Sequence, residues 1–122
     1  IAREKFSVSP EREKAFDMVR QFYVLVDNHF KEKKMVQDYA NMLHRSPKTL
    51  SNLFTTCGLP SPLRIIHERI EAEAKRLLLY SQKSAKEITE ILGFEDQATF
   101  SRFFKKMTGE SVSEYRKREK QE

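Results

Sequence analysis

Tryptophan is absent, cysteine occurs once, and the 122 residues include only three glycines and four prolines. The single cysteine, Cys57, excludes an internal disulfide and a cysteine-based zinc finger. So few glycines and prolines disfavour a turn-rich sandwich or barrel and favour helices. No unbroken apolar run exceeds the five residues Phe22 to Val26, far short of the roughly 20 that a membrane-spanning helix needs. The first apolar stretch begins late and is interrupted by charges, unlike a secretory signal. The expectation is a chain with no membrane partner, in a reducing, cytoplasmic compartment. The first residue is Ile rather than Met, so a fragment or processed chain with an upstream domain is expected.

What is present is charge and helix-forming residues. Lys plus Arg number 23 against 18 Asp plus Glu, a net charge of +5, with 34% of residues charged and 39% hydrophobic. That leaves enough apolar material for a core. The sequence pI near 9.4 is compatible with a polyanionic partner without demanding one.

Residues 1–14 read as a polar linker or tail, although Ser9-Pro10-Glu11 carries a helix-start signal: Ser as cap, Pro at the first helical position, Glu in the first turn. From about Glu11 to His29, Phe16, Val19, Phe22, Tyr23, Val26 and Phe30 fall on one helical face. A charged connection, Lys31 to Lys34, follows. The pattern then predicts a helix over about 35–43, and Ser46-Pro47 restarts one that ends near Cys57-Gly58. Ser61-Pro62 opens a long helix to about Tyr80. Ser84 with Glu87 forms a capping box for a further helix ended by Gly93. Another runs over about Gln97 to Met107, and Ser111 or Ser113 opens a last one. The expected fold is all-α, with about seven helices.

The two halves repeat. Leu50-Ser51-Asn52-Leu53-Phe54 lies 50 residues before Phe100-Ser101-Arg102-Phe103-Phe104, and Ala40 and Leu43 lie 49 before Thr89 and Leu92. Helix, short turn, helix therefore occurs twice, with one extra residue in the second turn. This is the helix-turn-helix pattern, in which the second helix must stand clear of its core to enter a major groove about 12 Å wide. Its outer face must be polar and slim. Lys48, Thr49, Ser51, Asn52 and Thr55 meet that need in the first unit, and Gln97, Ala98, Thr99, Ser101, Arg102 and Lys105 in the second.

The residues that carry the pattern are Ser46-Pro47-Lys48-Thr49-Leu50-Ser51-Asn52-Leu53-Phe54, Glu73-Ala74-Lys75-Arg76-Leu77-Leu78 and Ile88-Thr89-Glu90-Ile91-Leu92-Gly93-Phe94-Glu95-Asp96-Gln97. Ser101-Arg102-Phe103-Phe104-Lys105-Lys106, Gly109 and Ser113-Glu114-Tyr115-Arg116 complete it. Over about Phe16 to Arg118 the chain resembles the DNA-binding domain of the AraC/XylS family of bacterial transcription regulators. The resemblance implies two helix-turn-helix subdomains joined by one long linker helix: residues 15–82 as the first unit plus linker, 83–118 as the second, 119–122 as a tail. It implies sequence-specific binding of double-stranded DNA through two successive major grooves, about 34 Å apart. By residue, it places base contacts on Lys48, Ser51, Asn52, Gln97, Ala98, Ser101 and Arg102, and phosphate contacts on Ser46, Thr49, Thr55, Thr99, Lys105 and Lys106. Arg102 suits a bidentate contact to guanine and Gln97 one to adenine. RNA polymerase is a candidate partner, and a separate ligand-sensing or dimerisation domain is expected upstream. Residence in the bacterial cytoplasm, on the nucleoid when bound, follows. Two departures stand out: Thr89 replaces the usual Ala, and Leu59 stands where the repeat partner has Gly109. The first recognition surface has a single cation, Lys48, and is expected to contribute less base specificity.

Other readings are weaker. The Phe54, Phe100, Phe103 and Phe104 set could stack bases of a single strand, but its helical spacing points inward. Lys75-Arg76 and Arg116-Lys117-Arg118 fit phosphate clamps or solvated faces equally well. His29, His44 and His67 share no ligand spacing, so neither metal nor cofactor is expected. Cys57 reads as a packed helix-end thiol. No phosphate loop or nucleophile elbow occurs, so an enzyme is disfavoured. The alternative from a different class is a helical protein-interaction module, which apolar outer faces on the second helices would support.

Overall fold

A computed structural model describes residues 9–120. Seven helices follow one another: α1 (Pro10–His29), α2 (Val36–Leu43), α3 (Pro47–Thr56), α4 (Pro62–Tyr80), α5 (Ala85–Ile91), α6 (Gln97–Thr108) and α7 (Val112–Lys120). No strand occurs among the described residues.

Local chemistry sets most of the starts. Ser9, Ser46 and Ser61 precede prolines, and each Oγ accepts the backbone N–H three residues on, at 3.2, 3.1 and 3.2 Å. Proline supplies a preset φ and lacks a donor that would otherwise be orphaned. Ser84 with Glu87 and Ser111 with Glu114 form reciprocal capping boxes. Ser111 rather than Ser113 therefore opens α7. The helix signal at Ser9-Pro10 prevails over the polar composition around it, so residues 10–14 are the first turns of α1, not tail. At the other end, α7 continues through Glu119 and Lys120. The remainder of the expected tails, residues 1–8 and 121–122, lies outside the described residues.

The repeat is visible in the packing. Tyr39, Ala40, Leu43, Leu50 and Phe54 are buried, and so are their counterparts Ile88, Thr89, Leu92, Phe100 and Phe104. In the first unit the Phe22 ring lies 5.0 Å from Phe54 and 5.5 Å from Tyr39. In the second, Phe104 meets Tyr115 edge-on at 5.4 Å. The phenylalanines of the repeat thus pack inward, and Phe54, Phe100 and Phe104 are wholly buried. Helix α4 packs against α1, α2 and α3 and also against α7, so it belongs to both units. At 1.5 Å per residue, its 19 residues span about 28 Å.

Both turns reverse the chain in the same way. His44 and Gly93 take left-handed backbone conformations, φ 57° and 78°. The next N–H closes back onto the preceding helix, Arg45 to Ala40 at 2.9 Å and Phe94 to Thr89 at 3.1 Å. The extra residue of the second turn falls between this closure and the cap of α6. That residue is Glu95; Phe94, the counterpart of Arg45, packs on Phe100 and Phe103 at 5.3 and 5.4 Å. Thr89 is accommodated in the core because its hydroxyl donates to the Ala85 carbonyl at 2.7 Å. The two second helices end differently: α3 stops at Thr56 with Gly58 left-handed, and α6 runs to Thr108 with Gly109 left-handed.

Candidate nucleic-acid interface

Helices α3 and α6 turn their apolar residues inward and leave polar ones outside. On α3, Lys48, Thr49, Ser51, Asn52 and Thr55 are exposed, as is the cap residue Ser46. The Ser46 hydroxyl is held at the helix start: it accepts the Thr49 N–H and donates to the Thr49 hydroxyl at 2.9 Å. Thr55 donates to the Ser51 carbonyl at 3.0 Å. Lys48 has no ion pair among the described residues, which leaves its ammonium directed to solvent.

On α6, Gln97, Ala98, Arg102, Lys105 and Lys106 are exposed, and Ser101 and Thr99 are half-buried. Arg102 reaches back to the Thr99 hydroxyl at 3.4 Å, a long bond easily exchanged for a better acceptor. Arg102, Lys105 and Lys106 line a shallow concavity with Ser101 and Ser111. Lys105 and Lys106 fall in the last turn, where cations complement the helix dipole. The cap of this helix is a carboxylate. Asp96 accepts the Thr99 N–H at 2.7 Å, and that bond holds its pKa below the usual aspartate value. The second outer face thus carries three cations around an anionic start, and the first carries one cation behind a neutral start.

Several basic residues that the sequence left open are engaged elsewhere. Arg116 donates to the carbonyls of Leu78 at 3.1 Å and Ser81 at 3.3 Å, closing the end of α4. Arg118 pairs with Glu110 and Glu119. Lys75 pairs with Glu71 at 2.7 Å, and Arg76 makes a two-pronged contact to Glu73 at 2.7 and 2.8 Å. Those contacts hold the Glu73 carboxyl below its ordinary range. Sequence pattern could not have found the Arg116 contact, because its partners lie 35 and 38 residues away.

Between α4 and α6, His67 meets Phe103 edge-on at 5.2 Å. Burial, aided by Lys106, lowers its pKa. No cluster of three or more His, Cys, Asp or Glu suited to a metal occurs among the described residues. Among the described residues, no helix is long and apolar enough to cross a membrane.

Two repeated helix–turn–helix units, each with a buried inner stripe and an exposed polar second helix, define a double helix-turn-helix module. Comparison with known proteins makes the class specific. A family model described as a helix-turn-helix domain matches residues 39–118. The uncharacterised HTH-type transcriptional regulator YisR of Bacillus subtilis is 30% identical over 118 residues, covering 96% of this chain and 40% of that protein. The arabinose operon regulatory protein of Salmonella typhimurium is 36% identical over 92 residues, covering 75% of this chain and 31% of that protein. Among solved structures, the C-terminal domain of AraT, a response regulator from Geobacillus stearothermophilus, aligns with TM-score 0.73 and 29% identity over 82% of this chain and 84% of that one. The chain belongs to the AraC/XylS family of helix-turn-helix transcription regulators and corresponds to its DNA-binding domain. It spans well under half the length of these two curated relatives.

Proposed function

We propose that this domain reads duplex DNA in a sequence-specific way, placing α3 and α6 in successive major grooves as two unequal readers. The observation that carries this reading is the repeated arrangement of an apolar stripe buried beneath each second helix and a polar face left open above it. Residues 15–82 would form the first unit with its linker and 83–118 the second. Base edges would meet Lys48, Ser51 and Asn52 on α3, and Gln97, Ala98, Ser101 and Arg102 on α6. Ser46, Thr49, Thr55, Thr99, Lys105 and Lys106 would meet phosphates. Arg102, with its planar fork and weak internal bond, is the natural reader of guanine. Lys105 and Lys106 would add affinity without sequence choice. The module would work in the bacterial cytoplasm, without catalysis, as part of a longer regulator. A sensing or dimerisation domain and RNA polymerase would be its partners.

A second reading, a protein-interaction module, draws support from a different face. Val24, 57% exposed, lines a concavity between α1 and α2 with Leu25 and Met42, bordered by Asp17, Arg20 and Gln21. The polar outer faces of α3 and α6 keep DNA binding ahead. Selection of bound sites from a random duplex library, at near-physiological salt, tests the choice. Two enriched clusters about 10 base pairs apart support the double reader. A folded domain that enriches nothing would overturn it in favour of the protein-interaction reading.

A further inference from the structure

The turns of the two units contain an internal control. His44 and Gly93 occupy equivalent positions with similar left-handed backbones. His44 shows that this turn accepts a side chain. What differs at Gly93 is a neighbour. A Cβ built there would lie 1.9 Å from the carbonyl oxygen of Lys31 and 2.9 Å from the Lys34 Nζ. The left-handed backbone favours glycine at both turns, and at Gly93 the close approach of the α1–α2 loop adds a steric demand that His44 does not meet.

That loop is fastened on both sides. Toward the second unit, the Lys34 ammonium donates to the Lys31 carbonyl at 2.7 Å and lies 5.1 Å from the centre of the Phe94 ring. Phe94 in turn packs on Phe100 and Phe103 of the recognition helix α6. Toward α4, buried Phe30 lies beneath the Arg69 guanidinium at 4.3 Å, and Arg69 donates to Asp27 of α1 at 2.7 Å. At the far end of α4, Arg116 ties α7 to the helix terminus. Between these ends, His67 of α4 meets Phe103 of α6 edge-on at 5.2 Å, so contacts with α4 alone hold the second unit along one side and leave its α5–α6 turn unsupported. The α1–α2 loop adds a separate attachment at the Gly93 turn, on an element other than α4.

We propose that the Lys31–Lys34 loop seated on Gly93 and Phe94 is a stop that fixes α6 relative to α3, with Lys34 and Gly93 as positioning residues that set the tolerated spacing of the two half-sites. The proposal rests on the double-reader function. Its signature is a ratio: affinity for the selected site divided by affinity for the same site with one base pair inserted between the clusters. A variant that only lowers the folded fraction weakens both sites equally and leaves the ratio unchanged.

The experiment measures that ratio for the wild type, Lys34→Ala, Gly93→Ala and the charge control Lys33→Ala. Residual dipolar couplings are recorded on the free proteins. Lys34→Ala alters a partly exposed side chain and keeps the test open should Gly93→Ala fail to fold. Loss of the cation–ring contact and its hydrogen bond is expected to cut the ratio at least about threefold. Affinity for a duplex carrying one half-site, and the Lys33→Ala ratio, should stay unchanged. The couplings should fit one common alignment in the wild type and two separate ones in Lys34→Ala. An unchanged ratio with a single alignment in Lys34→Ala overturns the proposal. If the wild type shows no sequence-specific binding, the functional reading fails, and the couplings still decide whether the stop exists.

Discussion

The two units share a plan and differ in chemistry. Each buries the same inner positions and reverses through a left-handed residue closed by the same backbone bond. Above that common frame, α3 is short, begins at a neutral serine and exposes one lysine, whereas α6 is longer, begins at a carboxylate and exposes Arg102, Lys105 and Lys106. The inner faces match because a close-packed core tolerates little change. The outer face, which is mostly exposed, carries fewer packing constraints and differs between the units. On the proposed function, this difference makes the second unit the stronger reader.

The largest way to break the comparison is through the core. Phe104 is fully buried and meets both Phe100 and Tyr115. Phe104→Ala should destabilise the domain by about 3–5 kcal/mol, measured by denaturant unfolding. A smaller loss would mean that the second unit collapses around the cavity.

Next is Arg102→Ala. It should cost about 1–3 kcal/mol at one base pair of the selected site and relax the choice there. A loss equal for every sequence would mean that Arg102 contacts only the backbone. Lys48→Ala should lower the slope of log affinity against log salt by about one if its ammonium sits on phosphate. Base choice under α3 would then be nearly intact.

The smallest effect is acid sensitivity. The folded-state pKa values of Asp96, Glu73, Glu87 and Glu114 are all depressed. Each contributes stability above its unfolded pKa, which is lost as pH falls through the folded value. His67, also depressed by burial, acts earlier. Its unfolded form takes up a proton near pH 6.5 while the folded form resists, so stability begins to fall below that pH. Melting temperatures of wild type and His67→Phe should converge as pH rises from about 5 to 8. A constant difference would remove His67 from the account.

The sequence revealed most where chemistry is local. Helix starts were legible because Ser-Pro pairs and capping boxes act within three residues, and the stripes of α3 and α6 were legible from periodicity. Composition misled at residues 10–14, where a polar stretch proved helical under the same cap signal. The fates of Arg116, Arg69 and Gly93 were not legible, because each depends on a partner from another part of the chain. Among the candidate contact residues, exposure follows from helical spacing. The half-burial of Thr99 and Ser101 depends on neighbours that spacing alone does not reveal.

The measurement that bears most directly on the unequal double reader is a complete single-base-pair substitution scan of the selected site, with affinity determined for each duplex. The account predicts two clusters of sensitive positions one helical turn apart, with mismatches beneath α6 costing more than those beneath α3. Arg102→Ala should flatten only the stronger cluster. Equal clusters, or a stronger one that persists in Arg102→Ala, would contradict it.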